Sequence, residues 1–175
     1  MKAILAAASL LAGCAAPTPP GLPGSVDPLS GRLSVRVDGT DGAEPRSMSA
    51  AFELLGDAQS GQLELTTPLG TVVAQARWSI DQVTLATPQG STRFANLDDL
   101  TREVLGEAVP VAALFDWLRG RPWPGAASTP MAPPAQAGFR QLGWTVDLAK
   151  FDQAWVAALR ERPPAVTVRA KLDRR

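Results

Sequence analysis

Histidine is absent from this 175-residue chain, and cysteine occurs only once. Without histidine, Ser-His-Asp or Cys-His catalysis, histidine ligation of zinc and an imidazole proton shuttle are excluded. A single cysteine excludes an intramolecular disulfide. An excess of positive charge is missing too, since 17 Lys and Arg balance 17 Asp and Glu. The basic surface typical of nucleic-acid binding is therefore not expected.

A long apolar run is also missing. The longest candidate covers residues 3–13, whereas crossing a bilayer takes about 20 apolar residues. Because this short run follows Met1-Lys2, it is typical of a secretory signal. It ends in Leu11-Ala12-Gly13-Cys14, which resembles the bacterial lipobox, whose cysteine is acylated. The alternative is an ordinary signal peptide with a cysteine near its cleavage site. We predict a lipoprotein signal over residues 1–13 and a lipid anchor on Cys14.

Residues 14–28 are rich in proline and glycine, which disfavours both helix and central strand. We interpret this segment as an extended tether behind the anchor. Ala15 follows the cysteine, where lipoproteins retained at the inner membrane carry aspartate. This resemblance implies an outer-membrane location. Residues 29–175 have the size of one folded domain, and the whole chain, with 45% apolar and 19% charged residues, has the composition of a globular protein.

The folded segment is dominated by short stretches in which apolar and polar residues alternate, as in antiparallel strands. Their spacing predicts a meander curved enough to form part of a barrel. The strands are expected near residues 31–37, 47–54, 63–65, 72–79, 83–87, 142–148 and 166–172. Helical patterns occur after Asn96 and from Pro110 to Gly120, and a third short helix is expected over Phe151 to Arg160. Residues 121–138 are predicted to be a long proline-rich loop.

Five landmarks in order resemble the LolB family of outer-membrane lipoprotein receptors. They are Leu11-Ala12-Gly13-Cys14, Gly31-Arg32-Leu33-Ser34-Val35, Leu65-Thr66-Thr67-Pro68-Leu69-Gly70, the helical pair around Val109-Pro110-Val111 to Arg119-Gly120, and Gly143-Trp144-Thr145-Val146. The match runs from about Leu29 to Leu148. The C-terminus departs from the family pattern, because a single strand ending at Arg175 is predicted in place of a longer hairpin.

The resemblance implies a mainly β fold with helices (α+β), in which a curved antiparallel sheet forms an incomplete, half-open barrel under a helical lid. It also implies acceptance of acylated lipoproteins from the periplasmic carrier LolA and their insertion into the inner leaflet of the outer membrane. The expected protein is a monomer, lipid-anchored and facing the periplasm, with no cofactor or metal and no nucleic acid as partner. Another lipid-binding carrier lipoprotein with a similar half-barrel is the alternative function.

Acyl chains need an apolar concavity and no catalytic group. Ten apolar residues on strand and helix faces are the predicted cavity lining: Leu33, Val35, Phe52, Leu54, Leu63, Leu65, Trp78, Leu114, Trp117 and Leu118. The same pattern is typical of a dry, filled core, and the residues alone leave both interpretations open. Enzymatic activity is not expected, because Lys150 and Lys171, the only lysines after residue 13, lie in no Ser-x-x-Lys motif.

Thr67-Pro68-Leu69-Gly70 lies between two predicted strands and is expected to form a turn. A large apolar side chain at a turn tip has no evident partner, unless Leu69 folds back onto the barrel rim. The family resemblance implies an exposed leucine in this loop that delivers cargo to the membrane. Leu69, flanked by Pro68 and Gly70, is therefore the predicted membrane-insertion site.

Overall fold

A computed structural model of the chain describes residues 27–39, 42, 44–132 and 137–173. The predicted signal segment, Cys14 and the tether as far as residue 26 lie outside these ranges. The described residues form eleven strands: β1 (Leu29–Val37), β2 (Arg46–Gly56), β3 (Gly61–Thr66), β4 (Val72–Ser79), β5 (Gln82–Thr87), β6 (Gly90–Phe94), β7 (Ser128–Pro130), β8 (Gly138–Gln141), β9 (Trp144–Asp147), β10 (Trp155–Arg160) and β11 (Val166–Leu172).

All eleven strands belong to one antiparallel sheet with the order β6-β5-β4-β3-β2-β1-β11-β10-β9-β8-β7. Every neighbouring pair is consecutive in sequence except β1 and β11, so the first and last strands meet in the middle of the sheet. In the described part of the chain, β6 and β7 form the two edges and do not pair with each other. The sheet is an open barrel, as predicted.

Two helices lie in the connection between these edge strands: α1 (Leu97–Leu105) and α2 (Val111–Trp117). The Asn96 side chain accepts a 2.8 Å hydrogen bond from the Asp99 N–H and so begins α1. Gly106, at φ 81°, ends it in the left-handed conformation that glycine adopts readily. Within the described residues, no helix has the length and apolar character needed to cross a membrane. The helices cover the open side of the barrel.

The expected third helix over Phe151 to Arg160 is wrong. A single 3₁₀ turn, Phe151–Gln153, ends at Ala154, which has a positive φ of 62°. The chain then enters β10, which pairs with β9 on one side and β11 on the other. Pairing with these strands outweighs the helix propensity of its alanines. The C-terminus is consequently a β10–β11 hairpin rather than a lone strand.

Two further expectations need correction between residues 121 and 148. The proline-rich segment contains the short edge strand β7, which pairs with β8, while residues 133–136 lie outside the described ranges. Leu142 is not part of a strand. It lies at φ 53° in the turn joining β8 to β9 and is 46% exposed.

The interior has a filled part and an open part. The filled part is enclosed by β7 to β11 and centres on Trp117, whose side chain is fully buried. The Trp117 ring contacts Phe139 and Trp144 at centroid distances of 6.5 and 6.0 Å. The Trp117 Nε1–H donates a 2.7 Å hydrogen bond to Gln141 Oε1, which satisfies the one polar group of the indole. The open part lies under the other half of the sheet.

Candidate functional site

A cavity of about 320 Å³ lies between the concave face of β1 to β5 and the two helices. Strand alternation creates its wall, because every second side chain of these strands points toward the helices. On β2, for example, Phe52 and Leu54 point inward and Glu53 points to solvent. Residues of α1 and α2 close the opposite wall.

Eight of the ten predicted residues line this cavity: Leu33, Val35, Phe52, Leu54, Leu63, Leu65, Leu114 and Leu118. The first six come from three adjacent strands, where cross-strand pairing brings them together. Leu63 and Leu65 on β3 stand opposite Leu54 and Phe52 on β2. The last two residues lie one helical turn apart, Leu114 within α2 and Leu118 at its C-cap, on the face that meets the sheet.

The two predicted tryptophans lie elsewhere. Trp117 follows Leu114 by three residues, but its side chain points into the filled part of the barrel. Trp78 lies beyond the cavity end of β4, where its ring packs edge-on against Phe115 at 5.4 Å. Its Nε1–H donates to the Asp57 carbonyl oxygen at 2.9 Å, and the ring borders a separate depression near Ile80. Both indoles therefore support the fold beside the cavity without lining it.

The remaining lining residues were not predicted as part of a site. On the sheet they are Met48, Val73, Ala74, Ala76, Leu85 and Thr87, and on the helical side Leu100, Thr101, Val104, Leu105, Val109 and Val111. The apolar stripe of α1 was visible in the sequence as a helix signal. Its placement over the cavity depends on the tertiary fold, which local periodicity does not encode.

The cavity offers almost no hydrogen-bonding group. Of its twenty lining residues, only Thr87 and Thr101 have polar side chains. The Thr101 hydroxyl donates to the Asp98 carbonyl at 3.1 Å and accepts from the Val109 N–H at 3.0 Å. The Thr87 hydroxyl is engaged with the backbone of Gln89 and Gly90. A ligand in this space meets hydrocarbon, which suits an alkyl chain and penalises buried polar groups.

The cavity meets solvent between the start of β4 and α1. Val73 on β4 and Val104 on α1 both line it, and they are 37% and 46% exposed. Most other lining residues are buried or half-buried. These two valines define what we call the mouth of the cavity.

Leu69 lies at the tip of the turn between β3 and β4 and is 95% exposed. The Gly70 N–H donates to the Thr67 carbonyl at 2.9 Å, and the Thr67 N–H donates to the Thr71 carbonyl at 2.9 Å. Pro68 occupies the second position of this turn, and Gly70 has a φ of 84°, which favours glycine. The turn holds the leucine away from the protein, so Leu69 does not fold back onto the rim.

This turn adjoins the cavity. Leu65 and Ala74 are directly paired across β3 and β4, and both line the cavity. Only residues 66–73 separate them, and Val73 at the mouth belongs to this segment. The exposed leucine and the mouth are therefore at the same end of the β3–β4 hairpin.

Arg119 connects the end of α2 to the start of the folded domain. Its guanidinium donates to the Phe115 carbonyl at 2.7 Å and to the Asp27 carbonyl at 2.9 Å. Burial is the largest influence on this group and lowers the pKa of Arg119 below its ordinary value. The charge of Arg121 lowers it further, while Asp116 and Asp27 act in the opposite direction. Arg119 thus fixes the point at which the predicted tether reaches the barrel.

The described residues contain no cluster of three or more acidic, cysteine or histidine side chains able to hold a metal ion. The site is consequently defined by shape and apolar surface. Its distinguishing parts are the cavity, the mouth and the exposed Leu69.

Comparison with known proteins agrees with this geometry. Residues 28–173 match the family model described as outer membrane lipoprotein LolB. A relative from Bordetella petrii, named outer-membrane lipoprotein LolB, is 33% identical over 150 residues, which cover 82% of this chain and 75% of the relative. Relatives of the same name from Ralstonia nicotianae and Thiobacillus denitrificans are 36% and 32% identical, over 80% and 86% of this chain and 71% and 84% of their own. The chain belongs to the LolB family of outer-membrane lipoproteins.

Proposed function

We propose that this protein accepts acylated lipoproteins from the periplasmic carrier LolA and inserts them into the inner leaflet of the outer membrane. The observation that carries the proposal is the apolar cavity, whose mouth adjoins the turn bearing Leu69. In this proposal the protein is anchored through an acylated Cys14 and faces the periplasm, with residues 15–28 as the tether. The activity is transfer of a bound group and requires no covalent chemistry.

The cavity supplies the driving force for acceptance. Burial of alkyl surface gains about 0.8 kcal/mol per methylene, so one long acyl chain gains on the order of 10 kcal/mol before its ordering cost. Because the two threonines of the lining are internally bonded, the wall does not select for a polar headgroup. Transfer from carrier to acceptor then requires only that the acceptor bind the chains more favourably.

Leu69 supports the release step. Removing one leucine side chain from water gains roughly 1.5–3 kcal/mol, which is too little to hold a protein on a membrane. For a body already tethered near the bilayer, the same gain biases the turn toward dipping into the lipid. Since the mouth adjoins this turn, an acyl chain leaving the cavity emerges where the leucine enters the membrane.

Val104 offers a direct test of the cavity. The side chain lies at the mouth and is 46% exposed, so Val104→Gln is expected to fold normally. A polar amide at the mouth must lose water when an acyl chain fills the cavity, which lowers affinity for an environment-sensitive fatty-acid probe. Glu103→Gln, on the exposed face of the same helix, is the matched control and should bind as the wild type does.

Competition with the bound probe identifies the class of ligand that the cavity accepts. An acylated lipopeptide should displace the probe, and its unacylated form should not. Transfer of labelled lipoprotein from loaded LolA to this protein should then fall in Val104→Gln and not in Glu103→Gln. Displacement by glycolipids without acceptance from LolA would instead favour a different lipid carrier. The absence of saturable probe binding by the folded wild type would contradict the proposal.

A further inference from the structure

Four basic residues share the outward face of the two central strands. Arg32 and Arg36 lie on β1, and Arg169 and Lys171 lie on β11, near the other end of the chain. The pairing register places Arg32 directly opposite Lys171 and puts Arg169 and Arg36 in the next rows of the same face. We call these four residues the basic face.

This arrangement is electrostatically unfavourable in the isolated protein. Like charges directly opposite each other on neighbouring strands destabilise a sheet. Arg36 is relieved by an ion pair with Asp38 at 2.8 Å. Within the described part of the chain, neither Arg32 nor Arg169 forms an ion pair, and both are exposed. An anionic partner would remove this repulsion.

An aromatic side chain flanks the basic face on the β10 side. Trp155 pairs in register with Lys171 and is 41% exposed. The Lys171 ammonium lies 5.4 Å from the centre of the Trp155 ring and also donates to the Gln153 carbonyl. Tryptophan and basic side chains each combine an apolar body with a polar end. Together they suit the headgroup layer of a membrane, where the apolar body faces the lipid and the polar end faces water.

The register also connects the basic face to the Leu69 turn. Arg32 is paired with Ala51 on β2, and Ala51 is paired with Thr66 at the end of β3. The turn that carries Leu69 therefore starts in the same cross-strand row as Arg32 and Lys171. A body that lowers Leu69 into a bilayer brings this row close to the headgroups.

We propose that the basic face binds the phosphate groups of anionic lipids and orients the body on the membrane with Leu69 toward the bilayer. The inference rests on the proposed function only in taking a membrane as the place of action. A protein partner fits this face less well. The core of a specific protein interface is depleted in charged residues, whereas the centre of this face is occupied by Ser34 between charged neighbours.

Vesicle partitioning tests the proposal. The chain from residue 14 onward carrying Cys14→Ala is used, so that neither an acyl anchor nor the apolar signal segment dominates binding. It is sedimented with vesicles of phosphatidylcholine alone, or with phosphatidylglycerol added, at low and high salt. Each basic residue near an anionic surface contributes about a fivefold gain in partitioning, which converts to about 1 kcal/mol. Arg32→Gln with Arg169→Gln should therefore lower partitioning to the anionic vesicles about 25-fold.

The matched control is Arg77→Gln with Arg93→Gln. These residues are exposed cations on the outward face of β4 and β6, so the control changes the net charge equally. It should leave partitioning within about twofold of the parent protein. High salt should remove the difference between the two double variants, because the attraction is between surface charges.

Three results would overturn the proposal. The first is an equal loss of partitioning in both double variants, and the second is no preference of the parent protein for anionic vesicles. The third is unchanged vesicle binding by the Arg32→Gln, Arg169→Gln variant together with impaired acceptance from LolA. The last would make the basic face a protein-docking surface. The same variants are assayed for fatty-acid probe binding, which should not change. If the parent protein does not bind the probe, the proposed function is contradicted. The vesicle experiment then still tests, on its own, whether the basic face binds anionic lipid.

Discussion

Glu107 and Arg160 form an ion pair that joins the helical cover to the barrel. A carboxylate oxygen of Glu107, in the connection between α1 and α2, lies 2.7 Å from Arg160 Nη2 on β10. The Arg160 side chain is only 9% exposed, and its guanidinium lies 5.7 Å from the Trp144 ring centre. The same Nη2 donates to the Pro164 carbonyl at 3.0 Å. Among the ion pairs of the described residues, this is the one that connects the helices to the sheet.

Breaking this pair should destabilise the protein strongly. Glu107→Ala leaves a buried cation without its counter-charge, which costs about 3–5 kcal/mol. The matched control is Arg102→Ala, which removes the exposed pair with Asp99 and should cost at most about 1 kcal/mol. Urea denaturation followed by tryptophan fluorescence measures both. A similar loss of unfolding free energy in the two variants would show that the Glu107–Arg160 pair does not link the helices to the sheet.

The cavity can be distinguished from an ordinary core by filling it. Ala74 lines the cavity, so Ala74→Leu places extra carbon atoms in empty space and should leave stability unchanged or raised. Ala158, 2% exposed, lies in the filled part, and Ala158→Leu should cost about 1–3 kcal/mol through overpacking. Thermal unfolding compares the variants, and the fatty-acid probe should bind Ala74→Leu more weakly. Equal destabilisation by both substitutions would indicate a filled core on both sides.

The parts of the fold that local pattern encodes were predictable. Alternation in β1 to β3 identified six of the eight cavity residues, since an alternating strand exposes one face whatever its neighbours are. The helical spacing after Pro110 identified the other two, Leu114 and Leu118. The Asn96 cap and the Gly106 terminus of α1 are likewise local signals. Leu69 at a turn tip followed from the Pro68 and Gly70 that flank it.

The parts that depend on long-range pairing were not predictable. β10 resembles a short helix in sequence and becomes a strand because β9 and β11 flank it. Trp117 shares α2 with Leu114 and directly precedes the C-cap Leu118, and only the position of α2 over the sheet decides that Trp117 enters the filled part. The basic face requires β1 to pair with β11, from the two ends of the chain. Periodicity carries no information about such pairing.

The lipid anchor is tested by labelling. Cys14 lies outside the described residues, and its acylation remains a prediction from the lipobox pattern. Cys14→Ala should abolish incorporation of labelled palmitate, because the predicted attachment site of the acyl chains is lost. Ala16→Ser, close to the cysteine, is the control and should keep the label. Palmitate incorporation into Cys14→Ala would contradict the lipoprotein assignment.

Leu69 is expected to act in release and not in acceptance. Leu69→Glu replaces an apolar side chain that is 95% exposed, so it should not disturb the fold. Loss of the leucine side chain removes roughly 1.5–3 kcal/mol of favourable free energy of insertion into the bilayer. This corresponds to about a tenfold to hundredfold slower transfer into liposomes. Acceptance from LolA should remain normal, because the side chain does not line the cavity. The two steps are measured separately, first from carrier to acceptor and then from loaded acceptor to liposomes.

Ile80 provides the matched control for this experiment. It is 84% exposed in the turn after β4, at the opposite end of that strand from Leu69. Ile80→Glu makes the same kind of change in a second exposed apolar residue, and both steps should proceed normally because Ile80 lies away from the mouth. Equal slowing in the two variants would show that added negative charge, and not the position of Leu69, repels the membrane. Normal transfer by folded Leu69→Glu would remove Leu69 from the mechanism, whereas loss of acceptance would assign it to the earlier step.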